Sequence, residues 1–195
     1  MDRRIGRTFL ILFVATLLFI FIILKIFGGG HKATNPSGPV LKPLPDYSST
    51  FAQVSFTQDG VINGDDVHRQ IKITVDQFQR TLDIIGGYNG NVIQENTFAN
   101  NQNAYNVFLH AINNSGFLAK RKNPKITNVT GQCPLGQRFI FELNDGGDEL
   151  SNLWTTSCGG SLGTLGVPPG TLQQLFQAQI TNYDQIISNA NVQLF

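Results

Sequence analysis

At 195 residues, with 14 basic and 13 acidic side chains and only 14% of residues charged, the chain has room for one ordinary domain and an appendage. Its charge distribution argues against a nucleic-acid binder: no Lys or Arg follows Arg138, whereas Glu142, Asp145, Asp148, Glu149 and Asp184 do, and phosphate recognition needs a clustered basic face. Once the N-terminal segments are set aside, roughly 150 residues remain, enough for a core that needs no metal or cofactor.

Thr8 to Leu24 is seventeen residues without a charge, and continuing to Phe27 gives about 20, the length of a membrane-spanning helix at 1.5 Å per residue. The run contains neither Pro nor Gly, and every backbone polar group in lipid must find its partner within the segment. It is longer than a signal-peptide core and leads into Lys25-Ile26-Phe27 rather than a small-residue cleavage site. Residues 8–27 are therefore read as a transmembrane anchor. Arg3, Arg4 and Arg7 outnumber Lys25 and Lys32, which puts residues 1–7 in the cytoplasm and the rest outside the plasma membrane. Residues 28–46, with three consecutive glycines and Pro36, Pro39, Pro43 and Pro45, read as an extended linker. His31 within it is read as a solvated linker residue.

The expected domain, residues 47–195, opens with strands. Val67 to Val75 alternates, with Val67, Ile71, Ile73 and Val75 on one face and His68, Gln70, Lys72 and Thr74 on the other. Phe51 to Thr57 and Phe78 to Ile85 read as its antiparallel neighbours in a meander, with turn chemistry at Asp59-Gly60 and Asn89-Gly90. His68, on the polar face, is assigned a solvated or cross-strand role. The period then changes: Tyr105, Phe108, Leu109 and Ile112 form one helical stripe, capped by Asn100 or Asn101 and stopped at Asn114-Ser115-Gly116. Gly116-Phe117 fits a Schellman end, and His110 falls off the stripe, as an exposed residue should. The basic run Lys120, Arg121, Lys122 and Lys125 is read as a solvated connection.

Cys133 to Cys158 reads as a β-hairpin, with Phe139, Phe141 and Leu143 before the turn and Leu150 and Trp154 after it. A turn centred on Asp145-Gly146 sets Cys133 directly opposite Cys158, close enough for a disulfide, and Glu142 against Glu149. An oxidising exterior favours such a bridge. The acidic groups Asp145, Asp148 and Glu149 do not follow a calcium-loop pattern and are read as a polar turn, so no residue is assigned to a metal or cofactor. After Pro168-Pro169 a second helix is predicted from Thr171 to Ile180, then a strand from Ile186 to Leu194. The fold class is thus α+β: an anchor, then a small antiparallel sheet of meander and disulfide-braced hairpin, packed with two helices.

No catalytic constellation appears, so the domain reads as a non-catalytic binding or envelope-support module with a protein or envelope partner. Two alternatives stay open. One is a sortase-like thiol enzyme, suggested by Leu153-Trp154-Thr155-Thr156-Ser157-Cys158 with His68 or His110 as base, although that family uses an Arg after the nucleophile and none is present. The other is a protease-inhibitor-like module presenting the loop Ser161 to Pro169. Cys133-Pro134-x-Gly136, Arg138-Phe139-Ile140-Phe141-Glu142-Leu143, Trp154-x-x-x-Cys158 and Leu175-Phe176-x-x-Gln179-Ile180-x-x-Tyr183 together resemble uncharacterised membrane-anchored proteins of candidate-phylum bacteria such as Saccharibacteria. That resemblance implies a bacterial envelope setting and no site residues.

Overall fold

The computed structural model describes residues 41–158, 162–190, 192 and 194. The predicted anchor and most of the linker lie outside these residues, and no helix among the described residues is long and apolar enough to cross a membrane.

Six strands form one antiparallel sheet: β1 (Gln53–Asp59), β2 (Arg69–Val75), β3 (Gln79–Gly86), β4 (Asn91–Ala99), β5 (Arg138–Asp145) and β6 (Asp148–Thr156), in the order β4-β3-β2-β1-β5-β6. β1 to β3 make the expected meander, β4 extends it, and the β5–β6 hairpin adds to the free edge of β1. On one face, cross-strand rows such as Leu143–Val54–Val75 and Leu153–Phe141–Phe56–Ile73–Leu82 are buried. That is the period-2 pattern legible in the sequence. Strand starts differ from expectation by about two residues: β1 begins at Gln53, β2 at Arg69 and β3 at Gln79, leaving Val67 and Phe78 exposed. β4 was not anticipated.

α1 (Gln102–Asn114) crosses the buried face, with Tyr105, Phe108, Leu109 and Ile112 turned inward. Asn101 caps it by accepting from the Ala104 amide at 2.9 Å. At the other end Gly116 takes φ +84°, and Phe117 N–H donates to Ile112 O in a Schellman closure that folds Phe117 into the core. α2 (Gly170–Gln177) adds Leu172 and Phe176; Thr171 lies inside this helix, and Pro169 occupies the capping position. The Phe176 ring meets Phe56, Phe108, Phe117 and Phe141 with centroids 5.1–6.3 Å apart, contacts worth roughly 0.5–1.5 kcal/mol each beyond area burial.

Two expectations are corrected. The C-terminal segment is not a strand: α3 (Tyr183–Asn189) occupies it, with Tyr183, Ile186 and Ile187 packing at helical spacing, and Leu194 then tucks into the core. The last residues assigned to the linker belong to the domain. Leu44–Tyr47 is a 3₁₀ turn whose Leu44 is fully buried and whose Leu44 N–H donates to Asn113 Oδ1 on α1.

Candidate functional site

β1 ends and β5 begins side by side, so Asp59 and Arg138 are register partners. Arg138 Nε donates to Asp59 Oδ2 at 2.7 Å, Nη1 to Gln132 O at 3.3 Å, and Nη2 to Gly60 O. His68, just ahead of β2, completes the group. Its Nε2 lies 2.8 Å from Asp59 Oδ1 and its Nδ1 3.0 Å from Val61 O, and its ring stacks on Tyr88 with centroids 3.9 Å apart. The approach to Oδ1 is short but off the N–H direction, so this buried oxygen has close imidazole contact without an aligned hydrogen bond. Tyr88 is held in turn by Asn63, donating to Asn63 O and accepting from Asn63 N–H.

His68 is 0% and Arg138 3% exposed, so the expected solvated role of His68 is corrected. The expected contact with a neighbouring strand, here Asp59 of β1, is present. Its ring nitrogens both face oxygens of the protein itself, which leaves it unsuited to act as a base toward solvent. Charges taken out of water must be paired, and here one carboxylate lies between the guanidinium and the imidazole. The group ties the 60–68 loop, the β3–β4 turn and the segment before β5 to one carboxylate. Beside it is a cavity of about 170 Å³ walled by Asp59, Ile62, Tyr88, Arg138 and Val129 to Gly131. Composition gave no hint of this assembly. Its only sequence signal is that Asp59 and Arg138 each flank an apolar strand.

Cys133 and Cys158 are joined by a disulfide with Cα atoms 5.7 Å apart. The bridge was expected; its route was not. The hairpin turn is centred on Gly146-Gly147, both at positive φ, instead of Asp145-Gly146, and a bulge at Leu143/Asn144 shifts the ladder further. Glu142 therefore faces Asn152 in place of Glu149, and bonds Lys72 and Ser55 on neighbouring strands. Ser157 N–H donates to Gln137 O, so the same register sets Gly136 opposite Cys158. A turn closed by Gly136 N–H to Cys133 O folds Cys133 back over that glycine to reach its partner. A Cβ on Gly136 would sit 2.6 Å from Cys133 Sγ and 3.2 Å from Cys158 Sγ, so the close passage requires glycine.

The other expected residues are scattered. His110 is exposed on α1. Asp145 and Asp148 meet across the turn and Glu149 accepts from Asn152, while among the described residues no group of three or more His, Cys, Asp or Glu side chains is placed to hold a metal. Lys120 pairs with Leu165 and Arg121 Nε donates to Gly163 O, so the basic connection is pinned at its start; Lys122 and Lys125 are exposed. It borders two open concavities of about 390 and 420 Å³, the first shared with Glu149 and Thr164. Within the proposed inhibitor loop, Leu162 to Leu165 runs along β6, where Thr164 and Leu165 N–H donate to Trp154 O. No family model and no curated protein matches the chain.

Proposed function

We propose that the chain is a single-pass membrane protein whose folded unit is a non-catalytic binding module on the outer side of the plasma membrane of a bacterial envelope. The observation that carries this reading is the Cys133–Cys158 disulfide. Such bridges persist in oxidising compartments, in keeping with an anchor at residues 8–27 whose arginine-bearing end stays inside. The bridge also speaks against the sortase-like alternative, because a thiol enzyme needs Cys158 as a thiolate.

The test is made on intact cells expressing the full chain. External protease is expected to digest the C-terminal domain without lysis, and a membrane-impermeant maleimide is expected to label the cysteines only after reduction. Digestion only after lysis would overturn the orientation, and stoichiometric labelling of Cys158 before reduction would restore the thiol-enzyme reading.

A further inference from the structure

The sheet has two edges, and they are built differently. The β6 edge is covered: Gly163 pairs with Thr155, and Thr164 and Leu165 donate to Trp154 O. Gly163 takes φ +97° there, and any Cβ on it would lie 2.2 Å from Trp154 O. The β4 edge has no partner strand among the described residues. An unpaired strand edge is a template for another chain, and soluble proteins usually blunt it with Lys, Pro, bulges or cover. β4 carries neither Lys nor Pro across its nine residues. A bulge opposite Ile84/Ile85 disturbs its first half, leaving Gln94 to Ala99 regular.

The direction of the free groups follows from the ladder. Asn100 N–H donates to Phe78 O, in register with the Arg80–Phe98 pair, so Phe98 and Asn96 bond toward β3. By alternation Glu95 and Thr97 aim their N–H and C=O groups away from the sheet. Ala99 O, the next outward acceptor, is taken by Arg80 Nη2 at 2.9 Å, which closes the edge at that end.

Beside these groups lies an unbalanced charge. Asp83 of β3 and Glu95 are register partners on the face away from the helices, and neither forms a salt bridge among the described residues. Lys72, the next residue along that row, is engaged by Glu142. Partial burial, and then Glu95, raise the Asp83 pKa above the ordinary carboxylate value, against the opposing pull of Lys72. A second copy pairing edge to edge would gather two such acidic pairs. A basic strand would neutralise one.

We infer that the β4 edge, at Glu95 and Thr97, is a docking site for an extended segment of a partner protein carrying Lys or Arg at alternate positions, which adds to the sheet as a seventh strand. Backbone hydrogen bonds to Glu95 and Thr97 supply the pairing, and a cation opposite Glu95, with Asp83 one strand further in on the same row, selects the ligand. The inference rests on the binding-module reading above and deepens it.

The test uses the full chain in detergent and two synthetic seven-residue peptides, one alternating Lys with Thr and Val, the other with Glu in place of every Lys. The Lys peptide should bind about tenfold more tightly, because a Lys opposite Glu95 makes an attractive cross-strand pair where a Glu would make a repulsive one. It should slow amide exchange at Glu95 and Thr97, and Glu95→Lys should reverse the preference. Thr97→Pro, which removes an outward N–H together with the hydroxyl that donates to Glu95 Oε1, should abolish binding where Thr97→Val, which removes the hydroxyl alone, does not, while β1 amides stay protected in both. Equal binding of both peptides would overturn the inference. So would slow exchange at Glu95 and Thr97 without peptide in a concentration-dependent dimer, which would assign the edge to a second copy. In intact cells, a photo-cross-linker at Glu95 should capture the partner. Capture only from a cross-linker at His110 on α1 would sink the edge and leave the binding module standing.

Discussion

Asp59 shows how one side chain can hold three segments, because Arg138 and His68 reach it from opposite sides and bring Gly60, Val61 and Gln132 carbonyls into the same group. His68→Phe separates the two kinds of support. It keeps a ring to stack on Tyr88 but leaves Val61 O without a donor and Asp59 with Arg138 alone. Orphaning a buried polar group costs about 1–3 kcal/mol, and here Val61 O loses its donor while Asp59 Oδ1 loses its close imidazole contact. Urea unfolding is expected to show a loss of about 2–3 kcal/mol for His68→Phe with an unchanged denaturant slope. A loss below about 0.5 kcal/mol, the range of an ordinary surface change, would mean that the group is solvated and holds nothing together.

The disulfide acts at the scale of an element. It closes a 25-residue separation around a hairpin that already has its own ladder, so its main effect falls on the unfolded chain, about 3 kcal/mol in the loop-entropy account. Replacing both cysteines by serine is expected to lower stability by about that amount while β5–β6 amide protection survives. Collapse of the hairpin would show instead that the bridge sets the register. The bridge was legible from two cysteines flanking a hairpin pattern, but its register was not: with three candidate turn residues in a row, Asp145, Gly146 and Gly147, propensity alone does not decide which pair sits at the centre. α1 was fully legible because stripe, cap and Gly116 stop agree. β4 was invisible for the opposite reason: at the sheet edge both its faces are largely open to water, so Asn91 to Ala99 carries no apolar alternation to read. The C-terminal error has a similar source. Ile186 and Leu194 suggested a strand, and the competing spacing Tyr183, Ile186, Ile187 wins because it packs as α3 against the core.

At the scale of the molecule, the question is where the domain starts. Proline spacing put the boundary at Tyr47, since Pro43 and Pro45 look like linker. The two prolines instead shape the 3₁₀ turn Leu44–Tyr47: Pro43 stands at its cap and Pro45 in its first turn, where a missing N–H costs nothing. Composition cannot separate those uses; burial can, and Leu44 and Tyr47 both belong to the main core, with Leu41 packed against it. A chain starting at Leu41 is therefore expected to unfold cooperatively, with the same midpoint as the domain of the detergent-solubilised full chain. A chain starting at Ser48 loses two buried side chains at about 2–5 kcal/mol each, together with the Leu44 to Asn113 hydrogen bond. That loss is comparable to the whole stability of an ordinary domain, so the shorter chain should melt at least about 10 °C lower or fail to fold. Thermal melts of the two truncations decide the point, and equal midpoints would return Leu44–Tyr47 to the linker.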